Sequence, residues 1–159
     1  MAFVTWPRCC RTVLLAACLG GWAAGASARD EGGLYIAGEG FSFQAAAERA
    51  LAQNRGGQRF FLLTLPDQAA ALRIQASPAQ ARLRQRVLAG NGVLLVCQRD
   101  LDNRRLNPAT LVPEIVPVRG WPAAGAPQPP ASQRLFAGED PATLPASDAA
   151  LRRLRATCS

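Results

Sequence analysis

Short apolar runs alternating with amphipathic stretches predict an α/β protein, a three-layer sandwich on a mainly parallel sheet, followed by a C-terminal amphipathic helix. Three observations carry this. The apolar runs at residues 34–37, 59–65 and 93–96 are separated by segments of helical period, the order from which right-handed crossovers build parallel strands. The run Val93-Leu94-Leu95-Val96 lacks polar alternation, the pattern of a strand covered on both faces. Residues 147–159 repeat apolar side chains at helical spacing after a stretch with no core content.

The first strand, Leu34-Tyr35-Ile36-Ala37, lies between glycines and leads through Gly38-Glu39-Gly40 into a helix. Ser42 is the expected N-cap, because its hydroxyl accepts from a free first-turn N–H, and Phe43, Ala46, Ala47, Ala50 and Leu51 form the apolar stripe. Asn54 and Gly56-Gly57 end that helix. Residues 59–65 read as the second strand, closed by Pro66. Ser77-Pro78-Ala79-Gln80 then opens a second helix with an N-cap serine, a proline where no N–H partner is needed, and a capping-box glutamine. Leu83, Val87 and Leu88 are expected to face inward and Arg82, Arg84, Gln85 and Arg86 outward, with Gly90-Asn91-Gly92 as the stop.

After the third strand a polar turn leads to a helical turn at Asn107-Pro108-Ala109-Thr110-Leu111 and an extended run, Glu114-Ile115-Val116-Pro117-Val118. Proline cannot donate to a sheet ladder, which puts this run at an edge. Residues 122–130 are rich in Pro, Ala and Gly and read as linker. In the final helix Leu151, Leu154 and Cys158 share one face. Arg152, Arg153 and Arg155 are expected outside, at the helix end where the backbone dipole favours cations.

The organisation expected is a signal peptide at 1–28, an α/β domain at 29–120, a Pro-rich linker at 121–146 and a helix at 147–159. Arg8 and Arg11 supply the basic start of an export signal, residues 12–25 its apolar part and Ala26-Ser27-Ala28 the small-residue cleavage pattern, with release near Arg29 to the periplasm or exterior. Leu15-Ala16-Ala17-Cys18 resembles a lipobox. A lipoprotein anchored at Cys18 is the less favoured alternative, since only residues 12–17 separate Arg11 from that cysteine. The apolar run falls short of the roughly 20 residues a membrane span needs, and no integral segment is expected in the mature protein.

Cleavage removes Cys9, Cys10 and Cys18 and leaves Cys97 and Cys158. It also removes two arginines and no acid, so the net charge of +7 becomes +5, ordinary for a small protein. The sequence has no histidine and no lysine. That excludes the Ser-His-Asp triad, the Cys-His pair, Schiff-base lysines and the phosphate-loop lysine. No cofactor is expected, and two cysteines without histidine make no zinc site. Gly38-Glu39-Gly40 reads as a turn, its glycine spacing being incomplete for a phosphate loop. The second helix interleaves its arginines with alanine and glutamine instead of aromatics, so it reads as a solvated face and no nucleic-acid partner is expected.

Cys97, at the end of the third strand, is the candidate catalytic group, with Arg99, Arg104 and Arg105 as candidate substrate-binding residues. Nearby arginines and the helical turn at Asn107 lower a thiol pKa, while Asp100 and Asp102 act in the opposite sense. Two other readings stay open. Cys97 is a small buried hydrophobe, or it is bonded to Cys158, which suits an oxidising compartment and ties the last helix to the sheet.

The stretch Gly92-Val93-Leu94-Leu95-Val96-Cys97, the polar turn, the helical turn at 107–111 and Val112-Pro113-Glu114-Ile115-Val116-Pro117-Val118-Arg119-Gly120 together resemble the second half of DsrE/DsrF-like proteins. The resemblance implies a small, often oligomeric α/β sandwich with Cys97 at the family's sulfur-accepting position, and hence a thiol or persulfide carrier or a redox-responsive protein. The linker and final helix fall outside the family pattern. The alternative function class is a non-catalytic envelope binding or assembly module in which Cys97 is structural or bonded to Cys158. In either class the partner is an unidentified protein or a second copy of this protein.

Overall fold

The strands are short, apolar on both sides and separated by helices, so each buries its two faces only by lying in the middle of a layered structure. The computed structural model, which describes residues 32–54, 56–122 and 135–159, shows this arrangement. The expected signal peptide and residues 123–134 of the linker lie outside the described residues. Four parallel strands, β1 (Leu34–Ala37), β2 (Phe60–Thr64), β3 (Gly92–Cys97) and β4 (Ile115–Val118), lie side by side in sequence order. β4, with its proline, is an edge strand, as expected.

Alternation along each strand divides the core in two. Tyr35, Ala37, Phe60, Leu62, Leu94 and Val96 pack with helices α1 (Phe43–Gln53) and α2 (Pro78–Ala89). Leu34, Ile36, Phe61, Leu63, Leu95, Cys97 and Val118 pack on the other face with Leu144 and the C-terminal helix. Both crossover helices lie on one face, as crossovers of a single hand require when strands are laid down in one direction. The strand order never reverses. The four described strands therefore form no switch-point crevice, the place where open α/β sheets usually take ligands.

Local signals hold closely. Ser42 Oγ accepts from the N–H of Ala45 at 3.0 Å. Ser77 Oγ accepts from the Gln80 N–H at 3.3 Å while Gln80 Oε1 accepts from the Ser77 N–H at 3.2 Å, completing the capping box. Gly38-Glu39-Gly40 is a tight turn in which all three residues have positive φ and Gly38 and Phe41 exchange backbone hydrogen bonds of 2.8 and 3.0 Å.

Pro66 closes β2 as expected and at the same point starts a 3₁₀ helix, Pro66–Leu72, that buries Ala69, Ala71 and Leu72, since proline suits a first helical turn as well as a strand end. Three expectations need correction. First, Arg84 turns inward: it is buried, and its Nη1 donates to the carbonyls of Ala71 at 2.7 Å and Arg73 at 3.2 Å, because the 3₁₀ helix ends against α2 and its last carbonyls need donors. Second, Leu88, expected inward, is only half-buried. Third, the polar turn after Cys97 is a short helix, α3 (Gln98–Asp102), whose Asp100 is buried.

The C-terminal helix α4 (Asp148–Thr157) buries Ala150, Leu151 and Leu154 against the second face. Both of its ends are seated on glycines. A Cβ on Gly32 would lie 2.3 Å from Ser147 Cβ, and one on Gly120 would lie 2.3 Å from the backbone carbonyl group of Cys158. Gly32 precedes β1 and Gly120 follows β4, the two opposite edges. α4 thus crosses the sheet diagonally, from the amino end of one edge strand to the carboxyl end of the other. The described residues 139–147 make the return to the amino end: Glu139 accepts from the Arg119 N–H just after β4, and the Ala142 carbonyl accepts from Arg59 just before β2.

Candidate functional site

Cys97 ends β3, and strand alternation turns its thiol carbon toward the face that α4 covers. Cys158 caps the C-terminus of α4. The two meet in a disulfide, with sulfurs 2.07 Å and Cα atoms 5.0 Å apart. Cys97 is 0% and Cys158 2% exposed. Of the alternatives open in the sequence, the crosslink is the one present, and a sulfur in a disulfide is neither a nucleophile nor an acid. It fastens the last helix to the middle of the sheet.

The candidate arginines distribute themselves around this bond in different roles. Arg99 Nη1 donates to the backbone oxygen of Ser159 and Nη2 to the carbonyl of Thr157 at 3.2 Å, which satisfies acceptors that the end of α4 leaves free. Its Nε lies 3.7 Å from Asp100 Oδ1, and Arg105 Nη1 lies 3.8 Å from the same oxygen. Arg104 is exposed, at a positive φ of 56°, and joins neither contact. The structure therefore gathers Arg99 and Arg105 on Asp100 and gives Arg99 a second attachment to α4.

Asp100 was visible in the sequence only as a charge near the thiol. It is fully buried, and neither carboxylate oxygen accepts a hydrogen bond, an arrangement held by ion pairing alone. Thr64 Oγ1, at the end of β2, is also buried without a partner.

A second polar anchor went unread. Arg155 is fully buried on α4, and its guanidinium donates to the Arg119 carbonyl at 2.7 Å and to both carboxylate oxygens of Glu139, the Oε1 contact being 2.8 Å. The Phe136 ring lies 4.6 Å from the guanidinium carbon, a cation–π contact. Burial pushes the Glu139 pKa up. Hydrogen bonds from Arg155, the Phe136 N–H and the Arg119 N–H, with the Arg155 charge, outweigh it and leave the carboxyl below its ordinary value. The expectation that Arg155 faces solvent is thus corrected. A signal was present, since Leu151, Leu154, Arg155 and Cys158 follow the i, i+3, i+4, i+7 spacing of one helix face. Its carboxylate partner Glu139, inside the segment expected as linker, left no local trace.

Two concavities open on the described surface. One of about 370 Å³ opens beside the disulfide and is lined by Gln98, Arg99, Asp102, Arg119, Trp121 and Cys158 among others. A groove of about 490 Å³ lies on the other side, between α1, the 3₁₀ helix and α2, with Glu48, Asp67, Arg82 and Arg86 giving it mixed charge. Among the described residues no group of three or more His, Cys, Asp or Glu is placed to hold a metal ion, and no helix is long and apolar enough to cross a membrane. Comparison of the sequence and structure with protein-family models, curated proteins and solved structures finds no match.

Proposed function

We propose that the protein is an exported, non-catalytic binding or assembly module of the cell envelope, built on a DsrE-like α/β scaffold, in which Cys97 is a structural half-cystine. One observation carries this reading, the bond from Cys97 to Cys158. A sulfur carrier needs a free thiolate at the end of β3. Here the sulfur at that position is sealed and bonded, and the neighbouring Arg99 serves the end of α4. Export fits the same feature, because disulfides form and persist in oxidising compartments.

The decisive measurement counts free thiols by mass spectrometry on the native protein, alkylated under denaturing conditions before and after reduction. The expected outcome is no alkylation at Cys97 or Cys158 without reductant and full alkylation of both with it. A native protein that takes up a soluble electrophile at Cys97 without reductant would overturn the structural reading and restore the thiol or persulfide carrier.

A further inference from the structure

We propose that the groove between α1 and α2 binds a small zwitterion of the amino-acid or short-peptide class, its carboxylate against Arg82 and Arg86 and its ammonium against Glu48 and Asp67. The groove is lined by the first turn of α1 and the start of the 3₁₀ helix, elements that leave the carboxyl ends of β1 and β2. Its two sides carry opposite charge. The start of the 3₁₀ helix is tied to the start of α1, where Gln68 Oε1 accepts from the Phe43 N–H at 3.1 Å, so Asp67 and Glu48 belong to one side. The other side is α2, on which Arg82 and Arg86 have the i, i+4 spacing that stacks side chains on one helix face.

The carboxylates are oriented by neutral donors. Gln44 Nε2 donates to Glu48 Oε1 at 2.9 Å, and Gln68 Nε2 donates to Asp67 Oδ2 at 3.2 Å. Among the described residues no ion pair crosses the groove, and the Arg82 and Arg86 guanidinium groups have no hydrogen-bond or ion-pair partner. Two acids and two arginines therefore line a space of about 490 Å³, within the usual size of a small-molecule site. A simple anion placed there is repelled by the carboxylates and a simple cation by the guanidinium groups. A molecule carrying both charges complements both sides at once. A guanidinium offers a carboxylate two parallel N–H donors, and an ammonium has three donors to divide between two carboxylates. Between the charged sides the lining is apolar, with Phe43 and Leu83 buried beneath and the methyl groups of Ala70 and Ala79 exposed, which suits the aliphatic part of such a ligand.

This gives the binding module proposed above a ligand class and rests on that reading, but it does not use the crosslink, so the thiol count and the titration fail separately. The native protein is titrated by calorimetry at low ionic strength with alanine, dialanine and trialanine, and the tightest binder is tested again as its N-acetyl and C-amide forms. The expected result is saturable binding of at least one of the three, weakened about fivefold by either block, the worth of an ion pair at a partly open surface. The pair Arg82→Gln and Arg86→Gln should abolish the effect of the C-amide and keep that of the N-acetyl group, and the pair Glu48→Gln and Asp67→Asn should do the reverse. All four side chains are exposed, and thermal melts check that the variants fold. No saturable binding of any of the three at its solubility limit, affinity indifferent to both blocks, or block effects unchanged in both variants would overturn the zwitterion site.

Discussion

Replacing both half-cystines with alanine tests how the last helix is held. The bond joins residues 61 positions apart, and in the chain-entropy model a closed loop of that size restrains the unfolded state by about 4 kcal/mol at 25 °C. Alanine is chosen over serine because a hydroxyl buried at a fully enclosed site would add its own desolvation cost. For the roughly 115 described residues, an unfolding entropy of roughly 2.1 cal/mol/K per residue converts that loss to a fall in Tm of about 17 °C. The assay is equilibrium denaturation with thermal melts of the oxidised wild type, Cys97→Ala, Cys158→Ala and the double variant. Each single variant should lose nearly as much as the double, since either one abolishes the same bond. The denaturant slope should rise, because the polypeptide without its crosslink exposes more surface when unfolded. A double variant within about 1 kcal/mol of the wild type would refute the reasoning and show that the bond restrains little beyond what α4 contacts already restrain.

Acid should loosen the second anchor. The Glu139 pKa is depressed in the folded protein, so its contribution is fully present above the ordinary glutamate value of about 4.5 and is lost as pH falls from there through the folded value. Thermal melts between neutral pH and acid should show that loss, and Glu139→Gln should flatten it while lowering stability at neutral pH by leaving Arg155 buried without its counter-charge. Gly120→Ala should destabilise by about 1–3 kcal/mol, because the new methyl meets rigid backbone at Cys158, and a neutral effect in urea denaturation would contradict the seat described for α4. Arg84→Ala should cost about 1–3 kcal/mol by taking the side-chain donor from the buried Ala71 carbonyl, whereas Arg82→Ala on the exposed side of the same helix should stay within about 0.5 kcal/mol; equal effects in paired denaturant titrations would remove the distinction.

By itself the sequence determined the element order, the parallel sheet, the capped helix starts at Ser42 and Ser77 and the edge position of β4. These depend on periodicity and on hydrogen bonds spanning three or four residues, as between Ser77 and Gln80, or on the missing N–H of Pro117. It also reduced Cys97 to a few alternatives. Which alternative holds was a tertiary matter, because it depends on what packs over the end of β3. The long return after β4 brings Cys158 to the spot, an encounter between residues 61 apart that no local pattern encodes. The same applies to the charges. In sequence Arg84 and Arg155 look like the surface arginines beside them, yet their burial is set by a carbonyl of the 3₁₀ helix and by a glutamate within the expected linker. A long, flexible arginine goes where its hydrogen-bonding partners are, and tertiary packing alone decides where those partners lie.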